Sequence, residues 1–195
     1  MRSSKALLPF GPETMLQRVV RLLGTVVSPL VVVAAPGQSL PALPGSVILT
    51  HDEREARGPL EGLRAGLKAL PEAVAVAYVT SCDVPLLVPA FARRMLELLG
   101  DSDVAVMEID GFPHPLSAVY RRRTLPRVEA LLAEDRLRPV FLFDAVPTRR
   151  VGPDEVAAVD PLLQSLRNVN TRQDYAEALS SAGFGDGPRT DGPAG

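Results

Sequence analysis

Two stretches of the chain, Leu30-Val31-Val32-Val33-Ala34-Ala35 and Ala73-Val74-Ala75-Val76-Ala77-Tyr78-Val79-Thr80, are almost unbroken apolar runs. A strand with one wet face alternates polar and apolar residues, so runs of this kind belong in a sheet covered on both faces. The sequence supplies the cover. Met15, Leu16, Val19, Val20 and Leu23 share one face of a helix expected over residues 13–23. Leu60, Leu63, Leu67 and Leu70 form the stripe of a second, over residues 59–70, with Pro59 in its first turn. Further helices are expected over residues 89–99 and 125–134. Further strands are expected over residues 47–50, 104–109 and 117–122, and residues 140–146 read as a strand or a strand pair. Thr171, with Asp174 three positions on, reads as a capping box, and Gly183 closes that last helix. This alternation predicts an α/β fold with a mostly parallel central sheet and helices on both faces.

At 195 residues the chain has the length of one domain. Its 46% hydrophobic and 23% charged residues exclude global disorder. We assign residues 1–182 to the domain. The Gly- and Pro-rich residues 183–195 form a disordered tail, because they bury too little apolar surface to offset their ordering entropy. The 21 basic residues are outnumbered by 23 acidic ones, which argues against a general nucleic-acid binder. No apolar run approaches the roughly 20 residues of a membrane span. The apolar stretch after Lys5 is too short for a signal peptide. A single cysteine, Cys82, precludes an intrachain disulfide and fits a reducing compartment. A cytoplasmic location is expected.

In sheets of this kind ligands collect beyond the carboxyl ends of the strands. Asp83 stands there, after the second apolar run, with Pro85 fixing the turn behind it. A carboxylate in that place suits Mg2+, which takes oxygen ligands from one or two carboxylates and from substrate phosphates. It also suits an Asp that merely caps the turn. Asp52 follows residues 47–50 and precedes Gly58-Pro59-Leu60, a helix start that favours anions, although its charged neighbours equally describe a solvated loop. Lys5 is a solvated charge or a point charge for phosphate. His114, in Asp110-Gly111-Phe112-Pro113-His114-Pro115, is placed in a turn between strands, facing an anionic ligand or filling space. Asn168 and Asn170 read as turn formers before Thr171 or as ligand contacts. Two His and one Cys supply no zinc set of the usual type. Cys82 has no clear base partner and is expected to pack at the strand end. Neither G-x-x-x-x-G-K-[ST] nor G-x-G-x-x-G follows a strand, which removes support for a P-loop enzyme and for a dinucleotide-binding dehydrogenase.

Taken in order, several segments resemble the MobA family of molybdenum cofactor guanylyltransferases, within the nucleotidyltransferase superfamily. They are Lys5-Ala6-Leu7-Leu8-Pro9-Phe10-Gly11, Gly58-Pro59-Leu60, Cys82-Asp83-Val84-Pro85, Asp110-Gly111 with His114-Pro115-Leu116, and Asn168-Val169-Asn170-Thr171. The resemblance covers residues 1–180 and implies a three-layer Rossmann-like nucleotidyltransferase fold. It implies GTP and Mg2+ as nucleotide and cofactor, and molybdopterin or molybdenum cofactor as acceptor. The implied reaction transfers GMP to the molybdopterin phosphate and releases pyrophosphate, in molybdopterin guanine dinucleotide biosynthesis. By the same resemblance Lys5 and Asp83 are catalytic, Asp83 holds the metal, and Lys5, Asp52 and Asp83 bind the nucleotide. His114, Asn168 and Asn170 lie towards the pterin. Neither nucleic acid nor membrane is an expected partner, whereas transient contact with molybdenum cofactor biosynthesis or acceptor proteins is.

Alternative readings are a cytidylyl- or other nucleotidyltransferase of the superfamily, or a pterin-binding relative with weak catalysis. Arg121-Arg122-Arg123 and Arg149-Arg150 would serve an anionic pterin or a protein partner, or are solvated strand ends. The chain also departs from the family. Members begin with a strand and a Leu-Ala-Gly-Gly-x-Ser-x-Arg-Met-Gly-type loop ahead of the lysine; here Met1 falls where that loop's Met would be, and Ser4 replaces a common Asp. Ala34 stands where some relatives carry an Asn that contacts GTP. The resemblance therefore implies an N-terminally incomplete domain whose neighbouring strands carry unpaired edges. Either the start codon is assigned too late, or the chain is a shortened relative.

Overall fold

The computed structural model describes residues 5–54 and 57–185. The chain runs from a 3-10 turn, Lys5–Leu7, through β1 (Pro9–Phe10), β2 (Glu13–Thr14), α1 (Met15–Leu23), β3 (Leu30–Ala34) and β4 (Val47–His51). It continues through α2 (Pro59–Ala69), β5 (Val76–Thr80), α3 (Pro89–Leu98), β6 (Val104–Ile109) and β7 (Phe112–Arg121). It closes with α4 (Leu125–Ala133), α5 (Val140–Phe143), β8 (Thr148–Val151) and α6 (Arg172–Ser181).

Local chemistry explains most helix ends. The Thr14 hydroxyl accepts from the Gln17 amide and the Gln17 side chain accepts from the Thr14 amide, a reciprocal cap that starts α1. Beyond it α1 buries Met15, Leu16, Val19, Val20 and Leu23, the expected stripe. Helix α2 follows Gly58, whose φ of 73° is open to glycine and strained for most other residues, and takes Pro59 in its first turn. Helix α6 starts on Thr171, whose hydroxyl accepts from the Asp174 amide while Asp174 accepts from the Thr171 amide. Gly183, at φ 79°, ends it. The expected disordered tail falls mainly on residues 186–195, outside the described residues. Phe184 is placed, with its ring 5.8 Å from that of Phe10.

The strands alternate between two cores. Val76, Tyr78, Ala105, Met107 and Val119 face Phe91 and Met95 of α3. Ala77, Val79, Val104, Val106 and Ala118 face Leu60, Leu63 and Leu67 of α2 and Val128 and Leu131 of α4. On the α3 face, α1 adds Val19 and Leu23 against Ala92, Leu30 and Tyr78. Full burial of each Val, Leu, Phe or Met side chain in these cores stabilises the three layers by roughly 1.5–3 kcal/mol.

β3 and β4 pair in parallel, from Leu30 opposite Val47 to Ala34 opposite His51. The other strands pair in the order β5-β7-β6-β8. β6 and β8 are parallel, and β7 runs against both β5 and β6. β5, β6 and β8 thus share a direction that β7 alone opposes, so the sheet is mostly parallel and the fold is three-layer α/β, as expected. Among the described residues, β3 and β5 are each paired along one edge only.

Two expectations are corrected. Residues 140–146 hold no strand: α5 occupies Val140–Phe143, and the strand is β8, further along. The amides of Leu142 and Phe143 donate to the Pro139 carbonyl and that of Asp144 to Val140. This turn buries both Leu142 and Phe143, an outcome that a short apolar run does not distinguish from a strand. His114 is not in a turn. The reversal falls on Asp110 and Gly111, with φ of 50° and 79°, and β7 starts at Phe112, so His114 is a strand residue opposite Met107.

Candidate active site

β5 ends at Thr80, and the chain leaves the sheet through Ser81-Cys82-Asp83. The segment that follows is held from three sides. The Asp83 carbonyl accepts from the Val169 amide at 2.8 Å, and the Pro85 carbonyl accepts from Arg18 Nε at 2.6 Å. The Val88 amide donates to Ser165 Oγ at 3.0 Å. Ser165 is itself fixed by Asp160, a carboxylate only 1% exposed whose two oxygens accept from the amides of Gln164 and Ser165. The backbone around Asp83 is therefore anchored at three points.

Five residues meet at that point. Lys5 Nζ donates to Asp83 Oδ2 at 2.7 Å and to Asn170 Oδ1 at 2.6 Å. Asn168 Nδ2 donates to Asp83 Oδ1 at 2.8 Å, and Ser81 Oγ donates to the same oxygen at 2.5 Å. Burial by itself would push the Asp83 carboxyl up, but hydrogen bonds from Lys5 and Ser81, the Lys5 charge and Asn168 outweigh it. Its pKa ends below the ordinary carboxylate value, so Asp83 is an anion at neutral pH. The side chains remain reachable, Lys5 at 33% and Asp83 at 13% exposure. Next to it, burial and the Asp83 charge push the Cys82 thiol up. Cys82 packs with Ala6, Leu16 and Val32 and remains a thiol, as the lack of a base partner suggested.

Thus Lys5, Asp83, Asn168 and Asn170 are brought together, and Asp52 and His114 are not bonded to them. Asp52 follows β4, and its amide donates to the Ala34 carbonyl. Its Oδ1 is buried without a hydrogen-bond partner. Burial, then the Glu61 charge, raise its pKa. Asp52 does share one cavity with Ser81 and Cys82. His114 is half-buried on β7, which lowers its pKa. Ser81 was not singled out from the sequence, although a hydroxyl two positions before a carboxylate is a recognisable turn signal. The clamps by Arg18 and Ser165 carried no signal, since their partners are 67 and 77 positions away.

The cluster contains one carboxylate, together with amide and hydroxyl oxygens. Among the described residues no group of three or more His, Cys, Asp or Glu is assembled. Such a donor set does not form an all-protein cage. It fits a hard divalent cation whose remaining ligands are phosphate oxygens and water. An ammonium and an anchored carboxylate beyond a strand end have the chemistry to suit a polyphosphate and its counter-ion. No helix among the described residues is long and apolar enough to cross a membrane.

Residues 1–148 match the family described as the MobA-like NTP transferase domain. A probable molybdenum cofactor guanylyltransferase of Mycobacterium avium is 34% identical over 176 residues, covering 89% of this chain and 84% of that one. Among solved structures, molybdopterin-guanine dinucleotide biosynthesis protein A from Archaeoglobus fulgidus superposes with a TM-score of 0.75 at 15% identity, over 92% of this chain and 90% of that one. The 2-C-methyl-D-erythritol 4-phosphate cytidylyltransferase from Thermus thermophilus superposes with a TM-score of 0.67 at 17% identity, over 91% and 93%. At these identities the two structures speak to the fold alone.

Proposed function

The chain belongs to the MobA-like NTP transferase family, and on that premise we propose that it transfers GMP from GTP to the phosphate of molybdopterin, with release of pyrophosphate. It is a nucleotidyltransferase of molybdopterin guanine dinucleotide biosynthesis. The observation that carries this reading is the Lys5–Asp83 pair at 2.7 Å, flanked by Asn168 and Asn170 at the end of β5.

In the reaction an oxygen of the acceptor phosphate attacks the α-phosphorus of GTP in line, and pyrophosphate leaves on the opposite side. Lys5 supplies a point charge to the phosphates and offsets the negative charge that develops. Its ammonium is already held between Asp83 and Asn170, so little reorganisation is needed. Ser81 and Asn168 fix the orientation of the Asp83 carboxylate and keep it ionised. One structural neighbour, from Mycobacterium tuberculosis, is a complex with manganese, and we assign Mg2+ to Asp83, where it would neutralise phosphate charge and align the oxygens. Positioning and electrostatics suffice for such a transfer, and no covalent nucleophile is required.

Asp52 is assigned to the nucleotide, because its buried Oδ1 is an acceptor without a partner and the residue lines the cavity shared with Ser81. His114, Asn168 and Asn170 are assigned to the pterin side on the family resemblance, with product passing to acceptor proteins in the cytoplasm. The test is GMP transfer by the purified chain with GTP, Mg2+ and molybdopterin, using CTP and ATP as comparators. Transfer selective for GTP and lost in Asp83→Ala is the expected result. A fully active Asp83→Ala protein overturns the assignment of Asp83.

A further inference from the structure

Arg18 is held in a corner made by two aromatic rings. Its guanidinium carbon lies 5.0 Å from the ring centroid of Phe10 and 5.5 Å from that of Phe184. The two rings stand 5.8 Å apart at 90°. Within this corner Arg18 Nε donates to the Pro85 carbonyl at 2.6 Å. The two interactions do not compete, because a guanidinium offers its faces to aromatic rings and its edges to hydrogen-bond acceptors. Glu13 adds a longer contact, 3.5 Å from Arg18 Nη1, but it is engaged more closely by Arg21, at 2.6 and 3.0 Å. The rings are what fix the direction of the Arg18 side chain.

The two walls of the corner differ. Phe10 is wholly buried in a cluster with Met15, Leu86 and Val169. Phe184 is 39% exposed and stands beyond α6, outside that cluster. Its placement is nonetheless specific. The Phe184 amide donates to the Leu179 carbonyl at 2.8 Å, and its ring fills the space over Gly11. A Cβ on Gly11 would come within 2.6 Å of Phe184 Cζ, and Gly11 has a φ of 65°, so glycine is required there.

The stretch from Asn168 to Phe184 grips the segment after β5 twice. Asn168 and the Val169 amide hold Asp83. At the far end of the ten residues of α6, about 15 Å of helix, Phe184 helps to hold Arg18 on Pro85. Pro85 stands two positions after Asp83 and has no N–H of its own to anchor. Its tie to the rest of the fold is therefore the carbonyl that Arg18 takes.

We propose that Phe184 is a positioning residue for the candidate active site. Its ring keeps Arg18 on the Pro85 carbonyl, and Arg18 in turn steadies the segment that presents Asp83 to phosphate and metal. The effect on the metal rests on the role proposed above for Asp83, whereas the hold on the segment does not.

The experiment compares Phe184→Leu, which keeps apolar bulk and loses the ring, with Phe184→Tyr, which keeps the ring. Amide hydrogen exchange of the free protein reads the hold. In Phe184→Leu the amides of Leu86, Leu87 and Val88 should exchange about threefold or more faster, while those of Val104, Ala105, Val106 and Met107 in β6 keep the parent rate. Phe184→Tyr should restore the slow exchange. In an Arg18→Met background Phe184→Leu should add nothing, because the link is already cut. Phe184→Met, which also lacks a ring, takes the place of the leucine variant if that one folds poorly. Mn2+ affinity in the presence of GTP, read by water-proton relaxation, should weaken about threefold or more in Phe184→Leu and recover in Phe184→Tyr. Three exchange results overturn the proposal: no change at Leu86, Leu87 and Val88, an equal acceleration in β6, or the same acceleration in the Arg18→Met background. Faster exchange with Mn2+ affinity held at the parent value overturns the link to the site. The exchange measurement uses neither nucleotide nor metal, so it decides the hold on the segment even where the role of Asp83 fails.

Discussion

Lys5 Nζ lies 2.7 Å from Asp83 Oδ2, a contact between residues 78 positions apart. It ties the first described turn of the chain to the end of β5. Lys5 belongs to the Lys5–Leu7 turn, whose Ala6 is buried against Leu16 and Val20 of α1. The ammonium is thus aimed by packing beneath it, and the carboxylate by Ser81 and Asn168.

Asp83→Asn keeps the shape of the side chain and removes its charge. GMP transfer should fall by about a hundredfold or more, with the circular dichroism spectrum unchanged. Steady-state rates at saturating GTP and Mg2+ provide the check.

The Lys5–Asp83 pair should make stability depend on pH in a defined direction. The Asp83 carboxyl is depressed in the folded chain, so its contribution is complete above the ordinary carboxylate range and is lost as pH falls through the folded value. Lys5→Met should therefore be less stable than the parent near neutrality, by on the order of 1 kcal/mol or less for a partly exposed pair. The difference should vanish in acid. Urea titrations of both proteins across that range test this, and a difference that grew in acid would contradict it.

Asp52 has the opposite sign. Its folded pKa is raised, foremost by burial, so its ionised form costs stability above the folded value and nothing below the unfolded one. Asp52→Asn should leave the free protein as stable as the parent or more so at neutral pH. If the unpartnered Oδ1 serves the nucleotide, KM for GTP should rise more than kcat falls. Denaturant unfolding and kinetics on one preparation separate the two effects.

Ser165→Ala removes the acceptor of the Val88 amide from a fully buried site. An unsatisfied buried donor costs about 1–3 kcal/mol, and the loss should appear in thermal unfolding. Because Val88 closes the segment that begins at Asp83, exchange of the amides of Val84, Leu86, Leu87 and Val88 should accelerate as well.

Several features were legible because they depend on residues close together. The stripe of α1, the limits of β6 and the Thr171–Asp174 cap each follow from neighbours within a few positions. Residues 140–146 were misread because their apolar run has no period of its own. Pro139 and the burial of Leu142 and Phe143 decide it as a helix. His114 was displaced from a turn into a strand because hairpin register depends on where Asp110 and Gly111 turn, and β7 extends back to meet β6.

The same division runs through the site. Asp83 was visible as a carboxylate after a buried strand, and Lys5, Asn168 and Asn170 were visible as pieces of a family pattern. That Lys5 bridges Asp83 and Asn170, and that Arg18 and Ser165 clamp the segment, is decided by contacts between residues 67 to 165 positions apart. Side-chain periodicity and capping are local free energies, written into adjacent residues. Edge pairing and convergence of charges depend on how the sheet is ordered and which helices roof it. By itself, therefore, the sequence determined the layers and the chemical types at the strand ends. Only the tertiary structure decided which of those groups touch.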